Sequence, residues 1–248
     1  MFTVADRERI QASLISLAEQ DADIIGAAIV GSSATGLQDS LSDIDLALQI
    51  APGVYPDSVS DRWTSLIHDQ VEIAHTLDVI AGNGVLYRVF LTCDSMQMDI
   101  SFWPADTFRA TGDRFRLLFG SANDSASPAP PDRDRLIGMA WLYALHVRSA
   151  IARNEPWHAQ SLLDDLRDFV LTLACLRFGV NTHQLRGVDE LPPDLLARFA
   201  EARSTSLRTP ELRRSLQQHL SLLREEVQAV DADLAARLDR PIELIANY

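Results

Sequence analysis

Val30-Gly31-Ser32-Ser33-Ala34-Thr35-Gly36-Leu37-Gln38-Asp39-Ser40-Leu41-Ser42-Asp43-Ile44-Asp45-Leu46 is the stretch on which the fold and the chemistry turn. Before it, residues 24–30 form a β-branched apolar run that stops at Gly31, the pattern of a short buried strand. After a segment long enough for one helical turn, Asp43 to Ile50 alternates polar and apolar residues and reads as a second strand. Successive strand side chains point to opposite faces. Asp43 and Asp45 therefore share one face, about 7 Å apart, while Ile44, Leu46 and Leu48 point into the core. Paired carboxylates are hard oxygen donors that select Mg²⁺ or Mn²⁺ over zinc. Two such ions about 3.5–4 Å apart can hold both the attacking and the leaving oxygen of a phosphoryl transfer. Gly31 contributes differently. Without a Cβ it lets the backbone approach a phosphate, with the following N–H groups turned towards the anion, and Ser32 adds a hydroxyl donor. A Gly-Ser pair alone is common in unrelated chains. Joined to Asp-apolar-Asp-apolar and preceded by a buried strand, it outweighs the bland alternative of two acids alternating on a half-exposed strand.

Outward from this segment, residues 4–19 place Ile10, Leu14, Leu17 and Ala18 at helical spacing. The Pro52–Gly53 pair breaks the second strand, and residues 58–69 can form a helix carrying Trp63, Leu66 and Ile67. Three further strands are predicted at residues 72–80, 85–92 and 96–103, the first two joined by Ala-Gly-Asn-Gly. In the last of them Met98, Ile100 and Phe102 share one face, and Gln97, Asp99 and Ser101 the other. Asp99 is then the lone charge of its strand, and a metal shared with Asp43 and Asp45 would offset the cost of burying it. Its bland alternative is a solvent-facing acid on an edge strand. Asp94, in a Cys-Asp-Ser turn, and Asp78 are weaker candidates for a third carboxylate.

Residues 121–131, rich in Ser, Ala and Pro, read as an exposed linker. Beyond it strand signals nearly vanish, and residues 132–153, 156–178, 193–203 and 210–238 carry helical periodicity. The expected fold is α+β: an N-terminal α/β catalytic domain over 1–120 with a small mixed sheet, the linker, and a C-terminal α-helical bundle over 132–248.

The net charge of −13 is uneven. Residues 1–120 carry 7 Arg against 17 acids and residues 121–248 carry 15 against 18, with no lysine anywhere. An acidic first half is a poor surface for nucleic acid, which needs a basic track, and suits metal ions or a cationic substrate better. No apolar run approaches the roughly 20 residues of a membrane span, and the first residues lack a signal-peptide pattern, so no membrane association and a cytoplasmic location are expected. Cys93 and Cys175 lie apart in apolar segments and read as small buried hydrophobes. The six histidines form no metal-ligand spacing. Acids that could activate an acceptor are Asp99 itself, Glu72 and Glu155. Arg135, Arg148 and Arg153 could reach a triphosphate, and Tyr143 or Trp157 could stack on a ring, although aromatics at helical spacing are more often core.

The segment 30–46 resembles the signature of the DNA polymerase beta-like nucleotidyltransferase superfamily: an apolar residue, Gly, Gly or Ser, a spacer, then Asp-apolar-Asp/Glu-apolar. Within it the chain is most similar to the aminoglycoside and related small-antibiotic nucleotidyltransferases, which pair such a domain with a helical bundle. The resemblance implies that Gly31 and Ser32 contact the NTP phosphates, that Asp43 and Asp45 bind two Mg²⁺ ions, and that a third carboxylate, here Asp99, completes the metal site. It also implies AMP transfer from ATP to a hydroxyl of a small-molecule acceptor, a cationic aminoglycoside-like antibiotic being favoured by the charge, in a cleft between the two domains. A homodimer is left open. Rival functions are an antitoxin-type enzyme that modifies a protein hydroxyl, against which the long helical half counts, and a catalytically silent nucleotide-binding module, against which the retained pair of mutually repelling acids counts.

Overall fold

Helix α1 (Val4–Gln20) begins at Thr3, whose side chain accepts from the Asp6 N–H while the Asp6 carboxylate accepts from the Thr3 N–H, so two of the helix's orphan donors are satisfied reciprocally. It opens the first of two compact units, Met1–Pro128 and Ala129–Tyr248, into which the chain of this computed structural model divides. The structure describes residues 2–36, 38–81, 84–110, 112–125 and 129–247. The tip of the predicted Ala-Gly-Asn-Gly turn (82–83) and part of the predicted linker (126–128) lie outside them. The architecture is α+β.

In the first unit α1 is followed by β1 (Ile24–Val30), β2 (Ile44–Ile50), α2 (Pro56–His68), β3 (Ile73–Ile80), β4 (Leu86–Thr92), β5 (Gln97–Pro104) and β6 (Phe115–Phe119). Among the described residues the strands form one mixed sheet of order β3-β4-β5-β2-β1-β6. Neighbours are antiparallel except β2 and β5, which run parallel. The Phe115–Phe119 strand is an addition to the sequence reading, because five residues with two adjacent leucines show no alternation. One face of the sheet is covered: Leu46, Leu48, Met98, Ile100 and Phe102 pack with Leu14 of α1 and Trp63 of α2 in a continuous apolar cluster. Trp63 sits edge-on to Phe102 and donates its indole N–H to Asp21 at 2.8 Å, so the largest buried ring leaves no donor unpaired. The opposite face carries a much smaller cluster, Ala28, Ala47 and Phe108, with Val30, Trp103 and Phe115 packed against it.

The second unit is helical: α3 (Arg133–Ala152), α4 (Pro156–Phe178), α5 (Pro193–Ala202), α6 (Thr209–Val230) and α7 (Ala232–Ala246). Helix α4 ends at Gly179 in the left-handed conformation, as the sequence suggests. The single helix expected over 210–238 is two. Asp231 leaves helical geometry and its side chain caps α7 by accepting from the Leu234 N–H. Among the described residues no helix is long and apolar enough to cross a membrane. Cys175 is buried, whereas Cys93, expected to be buried, is exposed in the turn after β4.

Candidate active site

Strand β1 runs out at Gly31, which adopts φ +69° and opens a short 3₁₀ turn, Gly31–Ala34. A Cβ on Gly31 would lie 2.0 Å from Oδ2 of Asp45 and 2.9 Å from its Cγ. Glycine is required here twice, once for the left-handed backbone and once because the Asp45 carboxylate occupies the space a side chain would take. Within the turn Ser32 is half-buried, while Ser33 is buried and its hydroxyl accepts from Gln38.

Asp45 stands on β2 and Asp99 on β5, and the parallel register pairs the two residues directly. Paired positions on adjacent strands share a face about 4.8 Å apart, so both carboxylates rise side by side from the open side of the sheet. Asp43 precedes β2 by one residue, near enough for its charge to act on Asp99. The Asp99 carboxyl is pushed up to about 6, first by burial and then by the negative charge of Asp43. Its Oδ1 is buried without a hydrogen-bond partner among the described residues. An orphaned carboxylate oxygen beside two other acids is a costly arrangement and fits a bound cation or a transferable proton. Among the described residues no three acidic, His or Cys side chains stand close enough to enclose an ion as they are posed. An ion shared by all three carboxylates therefore requires a side-chain rotation.

The rest of this face mixes apolar and aromatic residues with Ser101, Gln49, Gln97 and His75. Ser101 follows Asp99 on the same side, donating to the Leu46 carbonyl at 3.3 Å and accepting from the Trp103 indole at 2.9 Å. Trp103 in turn meets Tyr87 and Phe108 edge-on. The Tyr87 phenol is raised by burial and by the charge of Asp99, which places Tyr87 beside the carboxylates.

The weaker candidates lie elsewhere. Asp78 is paired with Arg88 on β4, which also binds Asp61 and Thr64 of α2, so it faces the helices. Asp94 accepts from Thr92 within its turn, and Glu72 is exposed. In the second unit Glu155 pairs with His158, Arg135 and Arg153 are exposed, and Arg148 is half-buried. Tyr143 packs against Phe169, whereas Trp157 is exposed.

Arg7 joins the site without any signal in the sequence pattern. It is 1% exposed, and its guanidinium Nη1 donates to the Asp39 carbonyl at 2.6 Å and to the Ser42 carbonyl at 3.1 Å, fastening the loop that delivers Asp43 and Asp45. The same loop is closed by Asp39, whose carboxylate accepts from the Leu41 N–H and the Ser42 hydroxyl.

No family model matches the sequence, and no curated protein is significantly similar to it. Among solved structures the chain is similar to an aminoglycoside 6-adenyltransferase from Bacillus subtilis, at 15% identity and a TM-score of 0.43 over 97% of this chain and 98% of that one. It is also similar to a nucleotidyltransferase-like protein from Exiguobacterium sibiricum 255-15, at 13% identity and a TM-score of 0.37 over 89% of this chain and 76% of that one. A third likeness is to the GLD-2/RNP-8 complex, at 14% identity and a TM-score of 0.27 over 88% of this chain and 79% of that one. At these identities and scores none of the three fixes what this chain does, and the chemistry has to be argued from the carboxylates themselves.

Proposed function

We propose that the chain is a nucleotidyltransferase that moves AMP from ATP onto a hydroxyl of a small-molecule acceptor and releases pyrophosphate. The observation that carries this is the in-register pair Asp45 and Asp99, with Asp45 folded over the Gly31 turn. Asp43, Asp45 and Asp99 would hold divalent ions, two Mg²⁺. The donor chemistry suits them, since all are carboxylate oxygens and Oδ1 of Asp99 lacks a hydrogen-bond partner among the described residues, and a side-chain rotation would bring the three onto one ion. When bound, such ions neutralise charge on the phosphates and steady the entering and leaving oxygens.

The chain's own groups do the rest. Backbone N–H groups of the turn that starts at Gly31, with the Ser32 hydroxyl, present donors to the phosphates. Asp99, on the strand beside Asp45 and with one carboxylate oxygen left without a hydrogen-bond partner among the described residues, would serve as general base as well as ligand. It takes the acceptor hydroxyl's proton, the freed oxygen bonds to the α-phosphorus, and the bond from that phosphorus to the α–β bridging oxygen breaks. The electron pair leaves on pyrophosphate. Holding the two reactants in line supplies much of the acceleration.

The test is incubation with α-labelled ATP, Mg²⁺ and a panel of hydroxylated acceptors that includes aminoglycosides, lincosamides and cell extract, following pyrophosphate release and label transfer together. Label transfer that is lost in Asp45→Asn is the expected result. ATP binding without transfer to any acceptor, or transfer that survives in Asp45→Asn, would overturn the proposal.

A further inference from the structure

We infer that the open sheet face running outward from Asp99 is the acceptor's seat, and that the acceptor carries an apolar body beside its reactive hydroxyl instead of being a polycation. This rests on the nucleotidyl-transfer reading above and specifies its substrate class.

The strand registers draw the surface. Leu77 pairs with Val89, Val89 with Asp99, and Asp99 with Asp45, so a single row crosses four strands from apolar to acidic. The next row on the same face runs Val79, Tyr87, Ser101, Ala47. A molecule whose hydroxyl reaches Asp99 has two directions in which to lie. Towards β1 the face is closed by Phe108, packed on Ala28 and Ala47. Towards the sheet edge it is open: Leu77 is 55% exposed and Val79 and Leu91 are each 47% exposed, with the polar His75 and Gln97 flanking Leu91 in its row. Exposed large apolar side chains gathered on adjacent strands mark a contact surface, and this one is continuous with the candidate catalytic pair.

Charge decides the kind of occupant. A polycation needs carboxylates spaced along its seat, because each ammonium must exchange water for a counter-charge. Strands β3 and β4 supply none to this face: Asp78, the one acid on either strand, is turned the other way by Arg88. The acids that are present, Asp43, Asp45 and Asp99, are committed to metal and proton. A neutral head carrying hydroxyls, attached to an aliphatic or aromatic body about as long as two strand spacings, matches the row in both halves.

The test uses alkyl β-D-glucopyranosides from methyl to hexyl, which join a neutral hydroxylated head to an apolar tail of adjustable length, with kanamycin as the polycation. Each is titrated calorimetrically into the full chain holding Mg²⁺ and a non-hydrolysable ATP analogue. Half-burying a methylene gains about twofold in affinity, so the series should tighten about thirtyfold from methyl to hexyl. Leu77→Asp should flatten the series while Mn²⁺ binding and ATP affinity stay as in wild type. Leu77→Thr, which keeps strand propensity, should halve the gain per methylene and covers the case in which Leu77→Asp fails to fold. A flat wild-type series, or kanamycin binding more tightly than the hexyl glucoside, would overturn the inference. So would a wild-type dimer in sedimentation that Leu77→Asp dissociates, since the face would then belong to a second copy. Failure of wild type to bind the ATP analogue at all would remove the parent proposal; ATP binding with a flat series removes only this one.

Discussion

Asp45 and Asp99 are partners in a parallel strand pair, 54 positions apart in the chain yet in direct register, and Asp45 also fills the space above Gly31 that any other residue's Cβ would need. One side chain thus links the turn after β1, the strand that returns from it and the strand laid down beside it. Removing its charge while keeping its size is the most direct probe of the site. Asp45→Asn should fold as wild type, with superimposable far-ultraviolet circular dichroism. Turnover should fall by more than the roughly 10- to 100-fold that loss of an outer-shell partner of a metal site costs. Mn²⁺ binding followed by electron paramagnetic resonance should weaken in parallel; wild-type metal affinity would show that Asp45 is not a ligand.

The Gly31 turn can be probed independently. Alanine there meets both a φ of +69° and Oδ2 of Asp45 at 2.0 Å. The backbone strain alone costs about 1–3 kcal/mol, and relief of the clash must displace the carboxylate. Gly31→Ala should therefore lower thermal stability and activity together. In Gly31→Ala with Asp45→Ala the clash has no second partner, so stability should be partly recovered, and a double-mutant cycle should return a coupling of at least about 0.5 kcal/mol. Additive losses would mean that only the backbone conformation matters.

Much of this is legible in the sequence, and what is not has a common cause. The strand-turn-strand segment announces itself because periodicity, a glycine and two acids coincide within seventeen residues. Asp99 is legible because one charge interrupts an otherwise uncharged strand. The neighbour that gives it meaning is not, since strand order is set by long-range pairing and not by local pattern. The apolar row from Leu77 to Val89 is invisible for the same reason: each residue looks like ordinary strand filling until register aligns it with Asp99. The break at Asp231 hides inside a run whose apolar spacing continues on both sides of it. Cys93 lies next to an apolar strand but one residue past its end, in the turn.

Stability should carry the mark of the site's electrostatics. The Asp99 carboxyl is raised to about 6 by burial and by Asp43, against about 3.9 in an unfolded chain. Between those values the folded state holds a proton that the unfolded state has lost, so stability falls as pH rises from about 4 to about 6 and stays lowered above that. The full penalty is on the order of 2–3 kcal/mol. Asp99→Asn removes it. The variant should be inactive with Mg²⁺ present and yet, in EDTA, melt higher than wild type at pH 7.5, with the difference shrinking to nothing near pH 4. Equal melting temperatures at both pH values would show that Asp99 is not held at a cost.

Arg7 is the residue whose role is least expected from its surroundings in the chain. It lies in the first turn of α1 between Asp6 and Glu8, where an arginine ordinarily sits in solvent, yet it is 1% exposed. Its guanidinium reaches two carbonyls, of Asp39 and Ser42, and its Nε is buried without a partner among the described residues. A desolvated cation satisfied mainly by backbone oxygens is expensive, and removing it would leave two carbonyls short of a donor. It would also take a positive charge away from a segment that holds Asp39 and Asp43; the Asp39 carboxyl is already kept low by the Leu41 N–H and the Ser42 hydroxyl, with Arg7 adding to the effect. We therefore expect Arg7 to act as a positioning residue, holding the carbonyl of Ser42 so that Asp43 enters the site at a fixed angle. Arg7→Met keeps the length and apolar stem and should cost a few kcal/mol of stability, as loss of a buried hydrogen-bonded charge does. Stability alone would be a merely structural effect, so the deciding readout is metal. Arg7→Met should weaken Mn²⁺ binding and raise the Mg²⁺ concentration for half-maximal rate, with a smaller change in the rate at saturating Mg²⁺. Arg7→Lys, which can donate to one carbonyl at a time, should restore part of both. A variant that melts earlier but binds Mn²⁺ as wild type would confine Arg7 to the fold.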